Sequence, residues 1–259
     1  MIANYHTHTT RCGHATGSEE EYVQAALSGG LQILGFSEHT PYWFPGDYYS
    51  YFRMPKERLE DYIKTVLSLK DQYGDRLHIR LGLEVEYYPG LFPDLMTRLK
   101  DTPVEYLLLG QHFVGDEIGE PYSGKETDDL RTLIRYCDQV IEGIHTGCFA
   151  YVAHPDLINF TGSEKEYRGQ MRRICRTARS CNVPLEINFL GMHRNRHYPN
   201  RLFWEAAAEE GAPVIFGCDA HEPQGVWHPE LEQKAQEMVT ELGLTLMETL
   251  PEHQSGEKP

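Results

Sequence analysis

The sequence predicts an α/β fold, a distorted seven-stranded (β/α)7 barrel of the TIM-like kind. Strand-like runs recur at 3–7, 32–37, 78–84, 106–111, 149–153, 184–188 and 213–217 with helical patterns between them, so consecutive strands are parallel and joined by crossovers. Seven histidines, one glutamate and one aspartate lie at or just beyond the C-terminal ends of these runs. In an open sheet those ends spread along a line at about 4.8 Å per strand, whereas a barrel gathers them at one mouth. One such domain, residues 1–250, fills the 259-residue chain, and the polar stretch 251–259 reads as a disordered tail.

The elements follow in order. Tyr5-His6-Thr7-His8-Thr9 places two histidines at the end of the first strand, and His14 follows in a loop. Ser18 with Glu21 is a capping box that opens a helix to about Ser28, and Gly29-Gly30 stops it. The second strand runs into Gly35-Phe36-Ser37-Glu38-His39, with His39 just past it. Pro55 suits the first turn of a helix reaching about Tyr73. The third strand carries Gly82-Leu83-Glu84-Val85-Glu86, and the fourth leads into Gly110-Gln111-His112. Leu130, Leu133, Ile134, Cys137, Val140, Ile141 and Ile144 form one helix face at 3.6-residue spacing. The fifth strand ends in Ala153-His154-Pro155-Asp156; Tyr167, Met171, Ile174, Cys175 and Ala178 then form a second helix face. The seventh ends in Gly217-Cys218-Asp219-Ala220-His221, and Leu231, Ala235, Met238, Val239 and Leu242 form a third face. Segment 243–250 is ambiguous and compatible with a short extended tail. Two long loops, 40–54 and 113–126, overhang the mouth. The first is rich in aromatics (Tyr42, Trp43, Phe44, Tyr48, Tyr49, Tyr51, Phe52) and either walls a pocket for a heteroaromatic or apolar group, with Trp43 a candidate contact, or packs on its own side chains.

Composition narrows the function. Hydrophobic residues make up 40% of the chain, ample for a large core, and the net charge is −15, which argues against general binding to DNA or RNA. A small phosphorylated substrate stays compatible, because bound cations offset charge locally. The six cysteines form no C-x-x-C pair, no basic stretch with an apolar core begins the chain, and no apolar run approaches the roughly 20 residues of a membrane span. A cytoplasmic protein without a membrane partner is the expectation; oligomeric state is not legible.

Imidazole and carboxylate together suit Zn, Mn or Fe, and nine such groups exceed what one ion uses. Taken singly, His39, His112 or His154 would read as an ordinary hydrogen-bonded histidine, as we read His78, His145, His228 and His253. Convergence at one mouth changes that reading. Glu84 and Glu86 share a strand face and compete for one role, with Glu86 the supporting partner. Glu38 faces the other way and is expected to be solvated or salt-bridged. Arg11, Arg53, Arg194 and Arg196 lie in mouth loops; each is either a surface arginine or a bidentate phosphate ligand.

His6-Thr7-His8-Thr9, Cys12-Gly13-His14, Glu38-His39, Gly82-Leu83-Glu84, His154-Pro155-Asp156 and Asp219-Ala220-His221, in this order, resemble the PHP (polymerase and histidinol phosphatase) superfamily and its histidinol-phosphatase branch, over nearly the whole chain. The resemblance implies a trinuclear site. Its first metal would take His6, His8, Glu84 and Asp219; its second Glu84, His112 and His154; its third His14, His39 and His221. It implies hydrolysis of L-histidinol phosphate to L-histidinol and phosphate, a step of histidine biosynthesis, by a hydroxide shared between two cations bridged by Glu84. His193 stands where that branch usually has a phosphate-binding Arg, with Arg194 and Arg196 nearby; no Arg follows His154-Pro155-Asp156, and Cys218 replaces a common Ser. His193 or His197 would protonate the leaving group. The alternatives are a phosphoesterase for another small ester, nucleotide or phosphotyrosine, and a metal-binding module without catalysis.

Overall fold

In the computed structural model, which describes residues 1–251, eight parallel strands form one sheet in sequential order: β1 (Ala3–Asn4), β2 (Ile33–His39), β3 (His78–Val85), β4 (Tyr106–Leu109), β5 (Tyr151–Val152), β6 (Leu185–Asn188), β7 (Pro213–Gly217) and β8 (Thr245–Leu246). The expected tail beyond Pro251, and His253 with it, lies outside the described residues. Seven strands sit where the sequence places them, and the eighth falls in the ambiguous 243–250 segment. The ring closes at the mouth without β8: Thr7 bridges Ala220 in parallel, His8 N–H donates to the Ala220 carbonyl at 2.9 Å, and Ala220 N–H donates to that of His6 at 3.1 Å. β8 pairs β7 at the other end, through Pro213 and Val214. The distortion is thus a seven-membered ring with an extra strand at its base.

β1 is shorter than the run 3–7 because Asn4 intervenes. Its side-chain oxygen accepts from His6 N–H and Cys218 N–H, both at 3.1 Å, and its amide donates to Thr7 Oγ1 at 3.0 Å. Such local side-chain bonds divert a backbone from regular pairing. β2 extends further than expected and includes His39.

Strand alternation separates two cores. Leu34, Phe36, Leu81, Leu83, Leu107, Leu109, Ile187 and Phe216 pack with the surrounding helices, whereas Ala3, Tyr5, Tyr106, Leu108, Tyr151, Ala153 and Ile215 belong to a second, smaller cluster. By the two-residue period, Glu84 and Glu186 share the faces of Tyr106 and Ile215 and point into the barrel. Tyr106 fills the lower interior: its hydroxyl donates to the Tyr5 carbonyl at 2.7 Å, and Gly35 and Gly82 leave the room its ring occupies. The helices are α1 (Glu19–Ser28), α2 (Leu59–Tyr73), α3 (Phe92–Leu99), α4 (Leu130–His145), α5 (Glu164–Cys181), α6 (Phe189–His193), α7 (Arg201–Glu210) and α8 (Pro229–Leu242). The capping box at Ser18 and Glu21 forms as read.

Candidate metal centre

The two oxygens of Glu84 face different histidines. Oε1 lies 2.8 Å from His154 Nε2, 3.5 Å from His6 Nε2 and 3.7 Å from His112 Nε2. Oε2 lies 2.9 Å from His39 Nδ1 and 3.6 Å from His8 Nε2. Asp219 Oδ1 stands 3.1 Å from His8 Nε2 and 3.6 Å from His6 Nε2. His14 and His221 face each other, Nε2 to Nε2, at 3.0 Å, and His221 stacks on His8. All nine residues singled out in the sequence meet in one cluster. Two of them, His154 (φ 30°) and Asp219 (φ 52°), hold left-handed backbone conformations that non-glycine residues avoid. Such strain is retained where surrounding contacts over-determine it, as the 2.9 Å bond from His154 N–H to Glu186 does here.

Behind the cluster stands a ring of acceptors. His6 Nδ1 pairs with Glu186 Oε1 at 2.8 Å, His112 Nδ1 with Glu86 Oε1 at 2.7 Å, and His8 Nδ1 with Glu38 Oε1 at 3.4 Å. His14 and His221 bond backbone carbonyls through Nδ1, of Cys12 at 3.1 Å and Asp219 at 2.9 Å. A ring nitrogen held from behind leaves Nε2 directed inward, as metal-binding histidines require. Of the two expectations for Glu38, the salt-bridged one holds: it is fully buried, not solvated, pairs with His8 and takes Thr9 N–H and His39 N–H, both at 2.8 Å.

Electrostatics divide the cluster. Burial pulls His6 down, but Glu186, Asp219 and Glu84 outweigh it and hold the ring well above the ordinary histidine value. Burial opposes charge on His8 too, yet bonds to Asp219 and Glu38 raise it to about 9. Burial and the neighbouring His8 push His39 well below the ordinary value and His221 down to about 3. Burial would raise Glu84, but His112, His6 and His39 hold it well below the carboxylate range.

The residues fit bound cations. His6 Nε2, His8 Nε2, His39 Nδ1 and Glu84 Oε2 are buried without a hydrogen-bond partner. Orphaned buried polar atoms are costly, and these are aimed at one another. The ligand atoms group within 4.8 Å as His6–His8–Asp219, His6–Glu84–His154, His39–Glu84–His112, His8–His39–His221 and Cys12–His14–His221. The members of the implied third set lie in two groups that overlap at His221, His39 with His8 and His14 with Cys12.

A cavity of about 490 Å³ opens over the cluster. Phe52, Phe113, Tyr122, Leu157 and Leu190 give it an apolar wall, and Arg194, Arg196 and Tyr198 add polar groups. Arg196 donates to Tyr198 Oη at 3.0 Å. Four expected contributors are elsewhere. Arg11 is spent on Glu19, on Asp61 at 2.9 Å and on Thr65 at 3.0 Å. Arg53 is spent on Glu86 at 3.0 Å, the Thr40 carbonyl at 2.9 Å and Glu117. Trp43 carries the Arg98 guanidinium 4.3 Å above its ring, and His193 stacks on His228 at 5.2 Å. None of the four lines the cavity. Of the aromatic loop only Phe52 does; Tyr42, Phe44 and Phe52 surround Arg53, so the loop packs mainly on its own side chains.

A PHP domain family model matches residues 4–189. The chain belongs to the PHP family. Among its PHP relatives, a probable histidinol-phosphatase of Deinococcus radiodurans is 32% identical over 228 residues, covering 86% of this chain and 87% of that one. A probable histidinol-phosphatase of Schizosaccharomyces pombe is 34% identical, covering 87% and 82%. The fold matches that of the histidinol phosphate phosphatase of Lactococcus lactis solved with zinc, L-histidinol and phosphate, with a TM-score of 0.75 at 19% identity and 96% coverage of both chains.

Several residues of this PHP centre escaped sequence reading. Glu186 accepts from His6, Tyr151 and Asn188, at 2.8, 3.2 and 2.9 Å, and Asn188 also donates to Asp219 at 3.1 Å. Two polar residues at alternate positions of an otherwise apolar strand were the available signal. Gly110 and Gly217 were another: a methyl group at either would overlap the carboxylate of Glu84 or Glu186 respectively.

Proposed function

We propose that the chain is a metal-dependent phosphomonoesterase that hydrolyses L-histidinol phosphate to L-histidinol and phosphate. The observation that carries this reading is the convergence of nine ligand residues, with inward atoms of His6, His8, His39 and Glu84 buried without partners, beneath a cavity with both arginine and aromatic walls. The names of the relatives support the ester, and the zinc, L-histidinol and phosphate in the Lactococcus lactis structure support the site. Three cations are the proposed complement, held by His6, His8, His14, His39, Glu84, His112, His154, Asp219 and His221.

Bound divalent cations supply Lewis acidity for the phosphoryl oxygens and activate water near neutral pH. The chain's own groups do the rest. Glu84 and Asp219 stay ionised among the histidines and fix the spacing of the centre. Arg196, with Arg194 beside it, binds phosphate oxygens that face the cavity; a guanidinium fork suits them. Phe52 and Phe113, 5.6 Å apart between ring centroids, receive the heteroaromatic end of the leaving group. His197 is not the proton donor in this scheme, since its Nε2 is bonded to the Leu157 carbonyl at 2.7 Å. A cytoplasmic setting belongs to the reading: all six cysteines are free, as a reducing compartment keeps them.

The test is zinc- or manganese-loaded protein assayed against a panel of phosphate esters, with metal content measured in the same preparation. L-histidinol phosphate should give the highest kcat/KM, with more than one metal per chain. A nucleotide or aryl phosphate as the preferred ester would move the substrate assignment, and full metal content without turnover of any ester would leave a binding module.

A further inference from the structure

We propose that Glu117 is a positioning residue of the metal centre: the buried relay Glu117–Arg53–Glu86–His112 latches both mouth loops to one histidine ligand. This rests on the metal-centre reading and goes beyond it.

Three charged side chains make the relay, and all are buried: Glu117 is 5% exposed, Arg53 4% and Glu86 1%. Arg53 Nε donates to Glu117 Oε2 at 3.0 Å, Nη1 donates to Glu86 Oε2 at 3.0 Å and to the Thr40 carbonyl at 2.9 Å, and Nη2 also meets Glu117. Glu86 Oε1 completes the path at His112 Nδ1, 2.7 Å away. The guanidinium lies 4.4 Å from the centroid of the Phe52 ring, and Tyr48 donates to Glu117 Oε1 at 3.0 Å. Loop 40–54 therefore supplies Arg53 and Tyr48, and loop 113–126 supplies Glu117. Phe52, next to Arg53 in the chain, and Phe113, next to His112, both line the cavity.

The charge count gives the relay its direction. Two carboxylates share one guanidinium, so the remaining demand on Glu86 is met by the imidazole N–H of His112. That bond places the proton on Nδ1 and leaves the Nε2 lone pair facing Glu84 Oε1, 3.7 Å away. A carboxylate behind a histidine makes it a stronger metal ligand. Arg53 divides its charge between Glu86 and Glu117. With Glu117 neutral, the guanidinium acts wholly on Glu86, weakens the pull of Glu86 on the His112 N–H, and makes Nε2 a poorer donor. A loop staple alone does not need charge, because well-packed apolar groups hold buried segments as well as ion pairs do. The continuity of this one with a ligand histidine distinguishes it.

The test compares Glu117→Gln and Arg53→Lys with the wild type as zinc-loaded holoenzymes. Glu117→Gln keeps the shape and removes the charge; Arg53→Lys keeps the charge and removes the fork. Zinc release to a colorimetric chelator should show one fraction of the metal leaving about tenfold faster or more in both variants, the scale of losing a supporting partner of a ligand, with the other fraction unchanged and kcat lowered. The double variant should be no worse than the worse single, as expected of one chain of contacts. Tyr48→Phe, which loosens the loop without changing charge, should leave release unchanged. Release traces in Glu117→Gln that superimpose on the wild type, with only the melting temperature lowered, overturn the proposal. Should Arg53→Lys not fold, the isosteric Glu117→Gln carries the test alone. A wild type that binds zinc but turns over no ester would instead count against the proposed activity and leave the release measurement valid.

Discussion

Replacing Glu84 with glutamine tests the centre most directly. Glu84 is 1% exposed, and five imidazole nitrogens lie between 2.8 and 3.7 Å from its two oxygens. Glutamine keeps the volume, removes the charge and puts an NH2, which cannot ligate a cation, where a carboxylate oxygen stood. Removing one charge from a buried ionic set costs about 3–5 kcal/mol. That is a cost to folding; for activity, a direct ligand should matter more than the roughly 10–100-fold of a supporting partner, so kcat/KM should fall by about two orders of magnitude or more. Metal content should fall with it, because one side chain serves both oxygen faces. Glu86→Gln is the matched comparison on the same strand face. Its partners are His112 Nδ1 and Arg53, one step from the centre, so its loss should be about 10–100-fold. Elemental analysis and steady-state kinetics on both variants are the assay. Glu84→Gln with near-normal metal content, or Glu86→Gln as the more damaging change, would refute the assignment of Glu84 as the shared carboxylate.

Gly110→Ala should mimic part of that loss without replacing any ligand, because the added methyl overlaps the Glu84 carboxylate; a variant with normal metal content and activity would show that the carboxylate can move freely. Arg196→Ala should lower kcat/KM for a phosphate monoester by roughly one hundredfold with metal content unchanged, the scale of losing a charge-assisted phosphate contact; unchanged kinetics would shift phosphate binding to Arg194 or the cations. Glu105→Gln should destabilise the base of the barrel by roughly 1 kcal/mol at neutral pH, since Glu105 holds Lys70 and Arg80, each at 2.6 Å. Burial raises the Glu105 pKa, but Lys70, the Leu81 N–H and Arg80 outweigh it, so the net shift is downward. A depressed folded-state value means the stabilisation is present above the unfolded carboxylate value and lost as pH falls through the folded one. Thermal melts of variant and wild type should therefore converge in acid and separate toward neutrality, and a pH-independent difference would contradict the ionic account.

The barrel and the cluster of candidate ligands were legible because both repeat. Strand runs recur along the chain, and each ends in a residue type that is expensive to bury without a purpose. What repetition cannot carry is closure. β8 is two residues long, and the ring closes through Thr7 and Ala220, a single bridge that no local pattern announces. The loop arginines failed for a related reason. Arg11 and Arg53 lie near the mouth in sequence, but Glu19, Asp61, Glu86 and Glu117 were available to neutralise them, and a buried guanidinium takes the nearest carboxylates.

Glu38, Glu117 and Glu186 share one further property. Each is a buried carboxylate that ligates nothing in the proposed scheme, yet each stands one or three contacts behind a histidine that does: Glu38 behind His8, Glu186 behind His6, and Glu117 behind His112 by way of Arg53 and Glu86. A ligand residue is recognisable from its type and its place at a strand end. A supporting carboxylate is defined by what faces it across the barrel, through contacts made between residues 30 to 180 positions apart for Glu38 and Glu186. The only local trace such a residue leaves is space made for it, as at Gly217 beside Glu186. In a barrel whose mouth is built from histidines, the acidic residues therefore divide into those that face the proposed cations and those that orient the rings. The second group is found by asking which ring nitrogen each buried carboxylate holds.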